Sequence, residues 1–270
     1  MVMCAAMSCG LSAQTQDEVT EAKADSVVRK TETREVENFT QVEIDGLFNV
    51  RFVKGEKSKV ELSSERMANF DDVKVVCKSG ILVMEYQNNM PYVGVSNIKR
   101  MDLDVTITTP AIERLKCSGV VSFETEEALN GGNVRVSLNG VSNIRIAAVE
   151  GDELRMEDAG VSKVRIGSVA VKEVNVHLTG TGTTAFDSIA ATDVNLDMSG
   201  AGTIVTNKLT ATNASLTMSG VGNINAKGIK ADKLAVNAPG VGSITVEGEA
   251  TTYTKSDNII GKVNDSKLKR

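Results

Sequence analysis

From Val36 onward, apolar and polar residues alternate in short runs. Val42-Glu43-Ile44, Leu47 to Phe52, Val60-Glu61-Leu62, Val73-Lys74-Val75 and Ile81 to Tyr86 each place every second side chain on one face. That is the period of a half-buried β-strand. Gly46, Lys54-Gly55-Glu56, Asn69 to Asp72 and Ser79-Gly80 separate the runs as turns. Val105 to Pro110 closes this section, and Ser63 to Phe70 is the one stretch with a helix-like pattern.

Past Pro110 the alternation becomes a register. Gly140, Gly160, Gly180, Gly200, Gly220 and Gly240 stand at intervals of 20 residues. Four residues before each come Val136, Met156, Val176, Leu196, Leu216 and Val236, and six before come Val134, Leu154, Val174, Val194, Ala214 and Leu234. Two before come Leu138, Asp158, Leu178, Met198, Met218 and Ala238, a column in which Asp158 is the exception. After the glycine, Ile144, Val164, Thr184, Ile204, Ile224 and Ile244 form one column. Val149, Val169, Ile189, Leu209, Ile229 and Glu249 form another, with Glu249 out of character.

These columns predict an all-β fold: a parallel β-helix, or β-solenoid, with rungs of about 20 residues and right-handed by the crossover rule. One repeat buries too few apolar side chains to offset the entropy of ordering its own backbone, so stacked neighbours must complete the core. Rungs ~4.8 Å apart would build a stack on the order of 30 Å long. The glycine column reads as a sharp turn that needs positive φ. Leucine-rich repeats have a similar period but require a Leu-x-x-Leu-x-Leu framework with an Asn, which does not occur here.

Composition refines this picture. Aromatics are 3% of the chain with no Trp, and 23 glycines fit a fold of many turns and small inward side chains. The net charge of −5, with basic residues concentrated only at Lys262, Lys267, Lys269 and Arg270, argues against nucleic acid as a partner. No apolar run reaches the 18 residues of a membrane-spanning helix.

Residues 1–13 are apolar and rich in small side chains, and read as a signal-like leader with cleavage after Ala13. Two alternatives stand beside this: a lipid anchor at Cys9, and an ordinary chain terminus. Either export reading places the mature chain in the periplasm, on the outer-membrane surface or outside the cell. Residues 14–35 read as a polar tether, 36–110 as the N-terminal β section, 111–255 as the repeat solenoid and 256–270 as a basic tail. Cys77 and Cys117 could pair in an oxidising compartment or remain free thiols, and their spacing resembles no zinc site.

Candidate chemistry is sparse. The Gly-x-Gly pairs from Gly180 to Gly242 recur in register with no following helix, so they are turn columns and not phosphate loops. His177, the single histidine, falls in an outward column without a Ser or Cys partner column. The breaks in the repeat gather Glu157 and Asp158 near Arg135 and Arg155, with Arg145 and Arg165 in outward columns. They define a repeat-break site, read as an ion-pair ladder. Paired carboxylates here also raise the alternative of a polysaccharide lyase or glycosidase. A second candidate contact is the amide and aromatic loop with Asn88, Asn89 and Tyr92. No residue set calls for a metal or cofactor, and none is assigned as catalytic.

Cys117-Ser118-Gly119-Val120 and the core Ser199-Gly200-Ala201-Gly202-Thr203-Ile204, repeated at Ser219 to Ile224, resemble the auto-transporter adhesin head GIN domain family. The resemblance covers roughly Val36 to Lys255. It implies a β-solenoid, a secreted bacterial envelope protein, and no transferable catalytic residues. The expected function is adhesin-like binding of a glycan or of an envelope or host protein, without catalysis. A homo-oligomer or a purely structural self-associating module is the remaining alternative.

Overall fold

The computed structural model describes residues 29–65, 67, 69–86 and 103–270. The leader, Cys9 and most of the tether lie outside the described residues. Within them the chain forms sixteen strands and no helix, and the parallel strands stack into a β-solenoid of about 8 turns.

The stacking follows the repeat columns. Strand β2 (Gln41–Lys54) lies in parallel register on β7 (Arg114–Leu138), which lies on β8 (Val141–Asp158). β9 (Val161–Ala170) and β10 (Glu173–Leu178) follow, both pairing with β11 (Thr181–Met198). β12 (Ala201–Thr206), β13 (Leu209–Met218), β14 (Val221–Ala238) and β15 (Val241–Asp257) continue the coil. Val174 pairs with Val194, Leu196 with Leu216 and Ile204 with Ile224, each with its counterpart one repeat on. Alternation along each strand sends the apolar columns inward, and one continuous core runs from Phe39 to Val263. Where the coil interior takes the large Phe186, the neighbouring inward position on that rung is Thr184, although the rungs on either side carry Val164 and Ile204 there. Large beside small keeps the interior filled.

The glycine column has a different cause from the one expected. No residue from Gly140 to Gly240 at the 20-residue interval has positive φ. The reason is proximity: an added Cβ on each would run into the carbonyl of the preceding glycine in the column. The corner is a place where successive backbones touch, and only hydrogen fits between them. The column extends back to Gly119 and Gly46, which pair in register and do take positive φ, as do Gly222 and Gly242, the second glycines of two Gly-x-Gly pairs.

Three boundaries move. Lys30–Glu35, assigned to the polar tether, is strand β1, antiparallel to β3 (Lys59–Ser64). β3 in turn pairs antiparallel with β6 (Asp104–Thr109), and β4 (Val73–Lys78) pairs antiparallel with β5 (Ile81–Tyr86). These antiparallel strands close the first coil, so Ser63 and Ser64 end a strand where a helix-like pattern was read. At the other end the basic tail is strand β16 (Gly261–Lys269), parallel to β15. Two of its lysines lie over acids of the previous rung, Lys267 on Glu247 at 3.3 Å and Lys269 on Glu249 at 3.5 Å. Charged side chains on a terminal strand also discourage further pairing.

Glu249 is not a charge in the core. The last rung is shortened by a register shift, so Gly248 pairs with Ile229 and Glu249 with Lys230, which leaves Glu249 exposed. Cys77 and Cys117 are both free, Cys117 buried on β7 and Cys77 half-buried on β4.

Candidate binding face

The strands before the glycine corner turn three columns of side chains outward on one flat face. The first runs Asn133, Glu153, Glu173, Asp193, Asn213, Lys233. The second runs Arg135, Arg155, Asn175, Asn195, Ser215, Ala235, and the third Ser137, Glu157, His177, Asp197, Thr217, Asn237. Because the backbones are in register at ~4.8 Å, the six polar groups of each column form ladders about 24 Å long.

Local hydrogen bonds hold these ladders in place. Asn175 Nδ2 donates to Glu173 Oε1 at 2.7 Å, and Asn213 Nδ2 donates to Asp193 Oδ1 at 2.7 Å. His177 Nδ1 lies 3.2 Å from Asp197 Oδ2, and Glu157 flanks His177 on the preceding rung. The sole histidine therefore stands between two carboxylates on the surface. Down the middle of the face runs a shallow groove of about 460 Å³ lined by Glu173, Asn175, Asp193, Asn195, Asn213 and Ser215. Its walls offer amide donors, carboxylate acceptors and hydroxyls in a regular array.

The repeat-break residues separate. Arg135 and Arg155 stack on successive rungs of this face, with Arg114 beside them in a smaller groove of about 220 Å³. Arg155 donates to Glu157 Oε1 through both Nε at 2.9 Å and Nη2 at 2.7 Å, the ion pair expected from the columns. Arg145 and Arg165 lie beyond the glycine corner on another face, where Arg165 meets Asp187 at 3.1 Å.

Asp158 faces the opposite way from Glu157, into the core, at 1% exposure. No arginine among the described residues reaches it. Its carboxylate accepts from the Ser162 hydroxyl and, at 3.2 Å, from the Gly160 backbone N–H. Burial pushes this carboxyl above its ordinary range, and those two hydrogen bonds oppose the shift. Glu157 and Asp158 project from opposite sides of one strand, so they cannot flank a single bond as a glycosidase pair does. The candidate contacts Asn88, Asn89 and Tyr92 lie outside the described residues. The stack of Asn175 and Asn195 was legible in the sequence, but its place as a groove wall beside Asn213 of the neighbouring column needed the register.

Fold and face together define a β-solenoid that presents polar ladders along its axis. The chain belongs to the family described as "Putative auto-transporter adhesin, head GIN domain", whose model matches residues 38–208 and 196–269. No curated protein matches its sequence. Among solved structures it is similar to a "putative adhesin" from Parabacteroides distasonis at 15% identity and a TM-score of 0.64, covering 90% of this chain and 96% of that one. It is also similar to a "putative adhesin" from Bacteroides fragilis at 20% identity and a TM-score of 0.58, covering 88% and 96%. A "putative lipid binding protein" from Parabacteroides distasonis shares the fold at 13% identity and a TM-score of 0.54, covering 87% and 96%. These likenesses carry the fold.

Proposed function

We propose that this chain is a non-catalytic binding protein, exported to the cell envelope or surface, whose ladder face engages a glycan or an envelope or host protein. One observation carries the reading: a groove about 20 Å long, walled by in-register amides, carboxylates and hydroxyls. The adhesin family description and the adhesin neighbours support it. The lipid-binding name of one neighbour favours an apolar cavity instead, but here Phe52, Phe123 and Phe186 fill the coil interior.

The test is a glycan array and an envelope-protein overlay with the intact chain, beside a variant carrying Asn175→Ala, Asn195→Ala and Asn213→Ala. Binding by the parent that drops about tenfold or more in the variant supports the reading. Binding unaffected by the triple change moves the site elsewhere, and hydrolysis of a bound polysaccharide would replace the reading with an enzymatic one.

A further inference from the structure

Three arginines stack on successive rungs at the N-terminal end of the ladder face. Arg135 pairs with Arg155, and Arg135 N–H donates to Glu113 O at 2.7 Å, which sets Arg135 over Arg114 on the rung before. Neighbours in this column are therefore ~4.8 Å apart along the backbone. Like charges placed directly opposite one another oppose strand pairing. At other places opposite charges meet across rungs, as Lys116 and Glu43 do at 3.2 Å and Lys172 and Asp152 do at 2.7 Å. In the arginine stack, Arg155 takes Glu157 as its partner. Among the described residues, neither Arg114 nor Arg135 has an ion pair or a side-chain hydrogen bond.

The nearby carboxylates are engaged elsewhere. Glu43 meets Lys116, Glu157 meets Arg155, and Glu113 accepts from the Thr40 hydroxyl at 3.1 Å. Glu153 lines the same hollow of about 220 Å³ without an ion pair to any of the three arginines, and Gln41 and Asn133 complete its wall. Each guanidinium offers a planar fork of N–H donors that matches an anion with two oxygens. Two such forks on adjacent rungs are donors in want of an acceptor.

This hollow abuts the main groove, since its Glu153 and Arg155 pair with Glu173 and Asn175 of the other. One outward column thus runs from guanidiniums to the amides of Asn175 and Asn195. The charge changes sign along it. Beyond Arg155 the flanking columns carry Glu173 and Asp193 on one side, and Glu157 and Asp197 on the other. Glu173 stands two rungs from Arg135, about 10 Å away. A polymer with an anion on every sugar would meet these carboxylates. Sugar hydroxyls would instead meet carboxylate acceptors and amide donors.

We propose that Arg114 and Arg135 hold the carboxylate or sulfate of a single acidic sugar, whose neutral continuation lies on the amides of the groove. This rests on the ladder face being the binding face, and it specifies the ligand as a glycan with one acidic end, not a polyanion.

Nitrogen–proton NMR of the arginine side chains in the intact chain reads the hollow directly. Titration with glucuronate or glucose 6-sulfate should shift the Nε–H resonances of Arg114 and Arg135 saturably in the millimolar range, and glucose should not. By fluorescence anisotropy, a glucose oligosaccharide ending in glucuronate should bind about tenfold more tightly than its all-glucose counterpart, and more tightly than polygalacturonate. Arg135→Gln, at an exposed position, should remove that preference. Arg135→Lys keeps the charge without the fork and should retain only part of it. The proposal is overturned if the arginine resonances stay in place, or if sodium sulfate shifts them as well as the acidic sugars do at equal concentration. It is equally overturned if Arg114→Gln with Arg135→Gln leaves the preference intact. Should neutral glycans then still bind, and be lost with the asparagine substitutions, the ladder face stands as a binding face while the acidic end does not.

Discussion

Replacing Gly200 with alanine places a methyl group where the previous rung already stands. The new Cβ would collide with the Gly180 carbonyl oxygen and sit 2.5 Å from Thr179 O and 2.6 Å from Thr179 C. Carbon contacts are comfortable at about 3.5–4.0 Å, so the corner must open by about 1 Å. Three backbone hydrogen bonds span that gap: Ser199 N–H and Gly200 N–H to Leu178 O, and Ala201 N–H to Gly180 O, each at 2.9 Å. Opening by about 1 Å takes all three beyond hydrogen-bonding range. At about 1 kcal/mol net for each, the loss is about 3 kcal/mol before any repacking of the core. Ala201→Ser, one residue on but outward-facing, serves as the control and should change stability by less than about 0.5 kcal/mol.

Urea unfolding followed by far-ultraviolet circular dichroism gives the global cost, and amide exchange locates it. Because each rung contacts only its neighbours, exchange should accelerate at Thr179 to Val221 and much less at Val42 to Phe52. The reasoning is refuted if Gly200→Ala unfolds at the parent's urea midpoint. Since Gly200 does not occupy the left-handed region, the lower unfolded-state entropy of alanine offsets at most about 1 kcal/mol of the loss and cannot restore the parent's midpoint.

Other perturbations probe the interior. Asp158 titrates above its ordinary range in the fold, so over that interval the folded state holds more protons than the unfolded one and stability falls as pH rises from about 4. Asp158→Asn removes that decline, so the variant should gain on the parent as pH rises; parallel urea midpoints from acid to neutral pH would contradict it. Phe186→Ala empties a fully buried site that Thr184 does not fill, and should cost about 3–5 kcal/mol in urea unfolding. Burial pushes the Cys117 thiol up to about 12, so a thiol reagent at neutral pH should label it only on unfolding, whereas the partly exposed Cys77 should label in the native state.

The rungs were legible because each inward column is sampled six times. A single substitution such as Thr184 does not obscure a column that also contains Val164, Ile204 and Ile224. The same redundancy hid what departs from the period. Gly46 and Gly119 belong to the glycine column, but the cap strands β3 to β6 intervene between them, so no fixed interval links them. Glu249 looked like a charge in the core because counting by 20 ignores the deletion that shifts Gly248 into that position. Asp158 was visible as an exception. Whether an arginine met it depended on which side of the corner Arg145 and Arg165 lie, and that is set by three-dimensional coiling.

The valine column shows how alternation carries information that residue type alone conceals. Val141, Val161, Val221 and Val241 would be placed in the core by hydrophobicity. Their phase says otherwise. Ile144, Val164, Ile224 and Ile244 are inward, and strands alternate with period 2. The residue three positions before each must therefore point out, and the small Ser142, Ser162, Gly222 and Gly242 between them take the inward place. The chain thus spends its large β-branched side chains on the outside of this corner and its smallest ones on the inside. Core packing does not require that choice. The outward valines fill no space in the monomer, and what they share with Thr181 at this corner is a β-branched side chain that suits an extended strand.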